Sequence, residues 1–303
     1  MSLFLGIDTS NYTTSVGVCG DSEQDIRQII DIKDGMRGIR QSDGVFVHIK
    51  TLPQLYERLD IDFSQVKAIG VSTRPRSVDG SYMPVFLAGE SFARVAAKTL
   101  DIPLYTYSHQ DGHIMAGIMS CGSYELLEKP FTAVHLSGGT CEIVSARYEN
   151  WNFKCSIIGG TKDISVGQLI DRVGVKLGFK FPCGKEIDRI SQKCHTPAKL
   201  KISVKDGYMN LSGMETQLLK MAETEEPSYV AKSALHFGAR SVVSALCQLK
   251  CENILFVGGV SSNSYMRSYF KENLDTEVYF ATPHLSCDNA MGIAKLSQLE
   301  YTR

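Results

Sequence analysis

The stretch Leu3-Phe4-Leu5-Gly6-Ile7-Asp8-Thr9-Ser10-Asn11-Tyr12-Thr13-Thr14-Ser15-Val16-Gly17-Val18-Cys19 decides the fold. Leu3 to Asp8 is an apolar run of strand length that ends on a charge. Thr9 to Thr14 is a small polar turn, and Ser15 to Cys19 resumes as a strand. Strand, polar turn and returning strand make a phosphate-facing hairpin pattern, unlike the glycine turn between strand and helix of a dinucleotide site. The same plan recurs at Phe131 to Leu136, which turns at Ser137-Gly138-Gly139-Thr140 and returns over Glu142 to Tyr148. The two turns lie about one domain's length of chain apart, so the sequence predicts a duplicated α/β fold of two lobes with a central cleft.

Working outward, Asp21 to Gly44 carries weak signals, with turns expected over Asp34-Gly35-Met36-Arg37-Gly38. Val45 to Leu59 has helical spacing and Val66 to Val71 reads as a strand. Val85 to Leu100 places Ala88, Phe92, Val95, Ala96 and Thr99 on one helical face, and Leu104 to Tyr107 follows Pro103 as a short strand. A boundary is expected between Gly122 and Pro130. The predicted division is an N-terminal lobe, 1–120, joined by a C-terminal helix, 290–303, and a second lobe, 121–289, with nucleotide-facing loops. Late in the chain, a helix over Ser228 to Lys250 precedes a strand, Asn253 to Val257. Gly258-Gly259-Val260-Ser261-Ser262-Asn263 follows, with a helix starting before Met266, a third place where backbone amides can face an anion.

Composition narrows the class. The chain has 303 residues, 43% hydrophobic and 21% charged, which excludes a disordered chain or a disulfide-held miniprotein. A formal net charge of −1 disfavours generic coating of nucleic acid or membrane, and leaves room for a local patch. Nine scattered cysteines with no metal-ligand spacing read as reduced thiols, with Cys247 on an apolar helix row. The apolar start reaches Asp8 too soon for a signal peptide or a spanning helix, so a soluble, cytoplasmic protein without membrane contact is expected.

The chemistry-bearing residues are few. His109 and His113, four apart in His-Gln-Asp-Gly-His, share a face if they lie on a helix and can hold one metal ion. The same spacing also occurs in surface or capping histidines, and the glutamate of a zinc peptidase motif is missing. Asp288, before a small-residue helix from Ala290, either caps that helix or supplies an oxygen ligand beside the two imidazoles. Two nitrogens and one oxygen suit iron, zinc or manganese. Asp8 is a candidate metal-side or phosphate-side carboxylate and the nearest candidate for a catalytic group, or else a turn residue. Ser137, Gly138, Gly139 and Gly259 stand where backbone and small hydroxyls can approach phosphate, or form ordinary turns. Asp163 and Asp171 lie eight apart, as on a helical face, and Gly184 can admit a ribose or base; a charged amphipathic helix is the alternative.

Taken together, Gly6 to Ser10, His109 to His113, Leu136 to Thr140, Phe256 to Asn263 and Cys287 to Ala294 resemble the tRNA N6-adenosine threonylcarbamoyltransferase family, formerly the O-sialoglycoprotein endopeptidase family. The resemblance implies an actin-like, Hsp70-like and sugar-kinase-like fold. It implies one Fe2+ or Zn2+ ion on His109, His113 and Asp288. Nucleotide-side roles follow for Ser137, Gly138, Gly139, Asp163, Asp171, Gly184, Gly259 and Asn263, toward threonylcarbamoyl-AMP or ATP/AMP. The implied reaction transfers threonylcarbamoyl from threonylcarbamoyl-AMP to N6 of adenosine 37 in tRNA. An inactive paralogue and a small ATPase are the implied partners. The chain also departs from the family. Asp8 stands for Glu, Asn11-Tyr12-Thr13 replaces an acidic run, and Ser72-Thr73-Arg74-Pro75-Arg76-Ser77 replaces a proline- and glycine-rich segment. Thr140 stands for His and Gln168 for an acid. These changes also permit a divergent paralogue, either an ATP-dependent kinase or ATPase, or a noncatalytic partner in tRNA modification.

Overall fold

The computed structural model describes residues 1–10, 12–30, 39–78 and 80–302. Asn11 and the expected turns over 34–38 lie outside the described residues. The chain forms two compact units. The first comprises Met1–Tyr124, Tyr148–Lys154 and Cys287–Arg303, and the second comprises Glu125–Arg147 and Cys155–Ser286.

The first unit opens with β1 (Leu3–Ser10), β2 (Thr13–Gly20), β3 (Gln24–Ile29) and α1 (Gln41–Glu57). It continues through β4 (Val66–Arg74), α2 (Phe86–Leu100), β5 (Leu104–Ser108) and α3 (His109–Cys121). The second unit is built on β6 (Phe131–Leu136), β7 (Cys141–Glu149), β8 (Asn152–Thr161), α4 (Val166–Lys176) and α5 (Gly184–Ser191). Next come β9 (Val204–Lys205), β10 (Tyr208–Met209), α6 (Ser212–Thr224), α7 (Pro227–Leu249), β11 (Ile254–Val257), α8 (Ser264–Asn273) and β12 (Val278–Phe280). The last helix, α9 (Met291–Tyr301), packs in the first unit on β1, β2, β4 and α3.

The first sheet runs β3-β2-β1-β4-β5, with β1 antiparallel to β2 and parallel to β4. The second runs β12-β11-β6-β7-β8-β10-β9, with β6 antiparallel to β7 and parallel to β11. Read from β8 to β12, its first five strands repeat the third-second-first-fourth-fifth order, and β10 and β9 extend the edge. The duplication expected from the two hairpins is therefore present as topology.

Packing of the first unit explains its glycines. Leu5, Ile7, Val16, Val18, Ile69 and Val71 are buried in the first unit's core with Leu52 and Leu55 of α1 and Ala93 and Ala97 of α2. On the other face, Gly6 pairs in register with both Gly17 and Gly70, which makes a row of three glycines across β2, β1 and β4. A Cβ at Gly6 would fall 2.3 Å from the Ala290 carbonyl oxygen, and one at Gly17 2.8 Å from the Met291 nitrogen. The row is a shallow trough that lets the start of α9 lie directly on the sheet.

The edge strand β3 falls in the stretch of weak signals. Its sequence, Gln-Asp-Ile-Arg-Gln-Ile, is half-buried or exposed throughout, so it carries no apolar run. The β7–β8 hairpin turns through Asn150 and Trp151, both at positive φ (50° and 67°), the left-handed pair of a tight two-residue turn.

Candidate metal centre and nucleotide-facing turns

The position of the two histidines follows from how α3 starts. Ser108 is its N-cap: the Asp111 amide donates to Ser108 Oγ at 3.1 Å, and the Ser108 amide donates to Asp111 Oδ2 at 2.8 Å. Asp111 also accepts from Ser77 Oγ at 2.8 Å and from the Phe153 amide at 3.0 Å, while the Gln110 amide donates to the Pro75 carbonyl at 3.0 Å. The helix therefore begins at His109, and His113 lies one turn along the same face. Their ring centroids are 4.4 Å apart, edge to face.

Asp288 arrives from the segment before α9. The Asn289 side chain, not Asp288, serves the start of that helix: Asn289 Oδ1 accepts from the Met291 amide at 3.0 Å. The capping alternative for Asp288 is thus overturned, and its carboxylate turns to the histidines. Asp288 Oδ1 lies 3.1 Å from His113 Nε2 and 3.6 Å from His109 Nε2. One ligand atom from each of the three residues falls within 4.8 Å of the others. Two imidazole nitrogens and a carboxylate oxygen so close together form a donor set that fits a divalent ion.

The same groups are electrostatically coupled. Burial works against a charged His109, but the carboxylates of Asp8 and Asp288 outweigh it and the imidazole is pushed up to about 10. Burial likewise opposes ionised Asp288, yet hydrogen bonds and charge from His109 and His113 hold its carboxyl well below the usual range. Asp8 is fully buried, with Oδ2 2.5 Å from His109 Nδ1.

In the second unit the Ser137 turn is closed by its own chain: the Ser137 amide donates to the Thr140 carbonyl at 2.9 Å, and the Thr140 amide donates to Ser137 Oγ at 3.0 Å. Ser165 Oγ donates to the Gly138 carbonyl at 2.7 Å, which ties the turn to the start of α4. At Gly138, Gly139, Gly184 and Gly259 an added Cβ would meet nothing within 4 Å, and none of the four has a positive φ, so the protein's own packing does not require glycine there. Gly258 differs, at φ 92° and with a Cβ position 2.3 Å from the Leu136 carbonyl oxygen.

The polar residues of this region brace it. Asp163 accepts from the amides of Ile164 (2.7 Å), Leu211 (2.9 Å) and Ser212 (3.0 Å) and from Ser212 Oγ (2.7 Å). Burial opposes the charge, but these bonds bring its carboxyl down to about 2. Asp171 Oδ1 accepts from the Cys183 amide at 2.8 Å beside Gly184, and Asn263 Oδ1 caps α8 through the Met266 amide at 3.0 Å. Asp188 on α5 was not singled out from sequence; it accepts from the Ser264 amide and hydroxyl, both at 2.9 Å, and so joins the Gly184 helix to the start of α8. Gln168 completes a capping box with Ser165, a role glutamine fills as well as glutamate, so this departure leaves the start of α4 intact.

The sequence pattern of the tRNA N6-adenosine threonylcarbamoyltransferase family matches residues 48–295. The chain belongs to this family. Its relatives include a Thermus thermophilus tRNA N6-adenosine threonylcarbamoyltransferase, 29% identical over 309 residues, with 96% of this chain and 90% of the relative covered. The Riemerella anatipestifer protein of that name is 28% identical over 335 residues, covering 100% and 94%. Among solved structures, component A of the Acidaminococcus fermentans (R)-2-hydroxyglutaryl-CoA dehydratase superposes with a TM-score of 0.57 at 12% identity, covering 100% of both chains. A Streptomyces griseus ROK family glucokinase gives 0.53 at 13% identity, covering 98% and 100%. These likenesses show the fold alone: an actin-like, Hsp70-like and sugar-kinase-like α/β fold. At this level of identity the chain is a divergent member of the threonylcarbamoyltransferase family, and among its described residues no helix is long and apolar enough to cross a membrane.

Proposed function

We propose that this protein transfers the threonylcarbamoyl group from threonylcarbamoyl-AMP to the N6 amine of adenosine 37 in tRNA. The observation that carries the reading is the convergence of His109, His113 and Asp288 in a chain of this family. In the reaction the amine nitrogen bonds the carbamoyl carbon, the bond from that carbon to the AMP phosphate oxygen breaks, AMP leaves, and the amine gives up a proton. The two Nε2 atoms and an oxygen of Asp288 would hold Fe2+ or Zn2+. When bound, the ion supplies Lewis-acid polarisation of an acyl or phosphate oxygen.

The chain's other contributions are binding and orientation. Open backbone at Gly138, Gly139 and Gly259 takes the AMP phosphate, with Ser137 shaping the turn, and Gly184 admits the ribose or base. Asp171 and Asn263 serve the nucleotide by holding the chain beside Gly184 and after Gly259, and Asp163 by tying the chain before α4 to Leu211 and Ser212. A tRNA substrate meets a chain of net charge −1, so its recognition rests on a local patch or on an assembled partner.

For partners we infer an inactive paralogue and a small ATPase. An apolar groove of about 610 Å³ between α1 and α2, lined by Ile49, Phe92, Val95 and Leu100, supports a protein partner on the first unit. The test of the chemistry is Asp288→Ala with metal analysis: wild type carries about one ion per chain, and the variant loses both the ion and transfer. Full transfer by metal-free protein would overturn the mechanism.

A further inference from the structure

The β1–β2 hairpin does more than form the sheet's centre. Asp8, near the end of β1, pairs with Ser15 in the register, and Ser15 Oγ donates to the Asp8 carbonyl at 3.2 Å. Its carboxylate is fully buried and meets His109 Nδ1 at 2.5 Å. The Asp8 carboxylate occupies the Nδ1 side of the ring, which leaves Nε2 as the nitrogen presented to Asp288. Without that bond the ring is free to turn about its last torsion and present either nitrogen.

Across the turn, Thr13 pairs with Ser10, and its hydroxyl donates to Asp288 Oδ2 at 3.3 Å. That leaves Oδ1 as the oxygen facing both histidines, at 3.1 and 3.6 Å. The neighbouring strand adds a third hold, since Arg27 Nη1 on β3 donates to the Asp288 carbonyl at 3.1 Å. Each ligand that has to come from a separate helix start is thus pinned to one rigid sheet.

We propose that Asp8 and Thr13 are positioning residues, Asp8 holding the His109 ring through Nδ1 and Thr13 fixing which oxygen of Asp288 faces the imidazoles. The inference rests on the reading that His109, His113 and Asp288 hold a divalent ion. On this inference Asp8, expected from sequence as a catalytic group, takes a supporting role: its carboxylate has no exposed surface and already meets His109. Outer partners of this kind commonly set metal affinity by about 10- to 100-fold.

The test uses the full chain, Co2+ as the probe, chelator competition for affinity and the visible ligand-field spectrum for geometry. Asp8→Asn should weaken Co2+ binding by about 10- to 100-fold and change the spectrum. In a His109→Ala background the same substitution should have no further effect, because Asp8 acts through that ring. Thr13→Val, nearly isosteric, should cost several-fold in either background, which decides the matter if Asp8→Asn does not fold by circular dichroism. Wild-type affinity and spectrum in both variants would overturn the proposal, as would an Asp8→Asn loss undiminished when His109 is absent. Wild-type protein that binds no Co2+ would remove the metal reading itself, and the inference with it.

Discussion

Gly292→Ala should disable the metal centre without touching a ligand. Gly292 lies in the first turn of α9, against α3, and a Cβ there would sit 1.9 Å from the Gly112 carbonyl oxygen and 2.7 Å from the Ala116 nitrogen. Both are backbone atoms, so no side chain can rotate away. Since real Cβ contacts below 3.0 Å are essentially absent, the helices must separate by about 1 Å. Gly112 stands between His109 and His113, and Asp288 precedes Gly292 by one turn's length of chain, so the displacement falls on the ligand set. Metal ligands tolerate about 0.2 Å, and a shift near 1 Å in a catalytic constellation can cost about 100-fold in rate. Overpacking should also lower stability by about 1–3 kcal/mol, against the roughly 1 kcal/mol that alanine normally gains over glycine in a helix. The assay is Zn2+ affinity by chelator competition, with thermal unfolding of the metal-free protein and Gly259→Ala as a control whose Cβ meets nothing. Wild-type Zn2+ affinity and an unchanged melting temperature in Gly292→Ala would refute the packing argument.

Other expectations follow from single residues. His48 is fully buried, with Nδ1 2.8 Å from Thr14 Oγ1, and burial pulls its imidazole down to about 4 despite the nearby Asp8 carboxylate. The unfolded chain binds that proton near pH 6.5, so stability should fall as pH drops from about 6.5 to 4, by roughly 3 kcal/mol at most. Denaturant titrations should show that slope in wild type and a flatter one in His48→Gln. Gly138→Val should leave the melting temperature within a degree or two of wild type while weakening AMP binding by calorimetry at least about tenfold, because only a ligand forbids a side chain there. Val95→Asp, on the exposed wall of the α1–α2 groove, should abolish co-elution with the paralogue partner and leave Zn2+ affinity unchanged; retained co-elution would remove the groove from the partner interface.

The parts of this protein legible from sequence are those whose signal is local. β1, β6 and β11 read as strands because they are buried and mostly apolar runs, β2 because it returns from a polar turn, and the paired hairpins point to the duplication. His109 and His113 were legible as a pair because four-residue spacing is a property of any helix. What escaped depends on contacts between distant segments or on polarity. β3 is a polar edge strand. Nothing in Asp288-Asn289 tells which of two adjacent polar side chains caps α9 and which turns inward; that depends on how α9 settles on the glycine row. Asp8 reads as a site residue, but its role needs a partner 101 residues away. Asp163 and Asn263 read as nucleotide-side residues, and the sequence does not show that they also bond the backbone amides of Leu211 and Met266.

The most direct measurement is nucleoside mass analysis after incubating metal-loaded protein with threonylcarbamoyl-AMP and unmodified tRNA, alone and with the paralogue and ATPase partners. The account predicts threonylcarbamoyl-adenosine at position 37 with wild type and none with Asp288→Ala. Folded, metal-loaded wild type that makes no such product, under conditions where the Thermus thermophilus relative does, would contradict it.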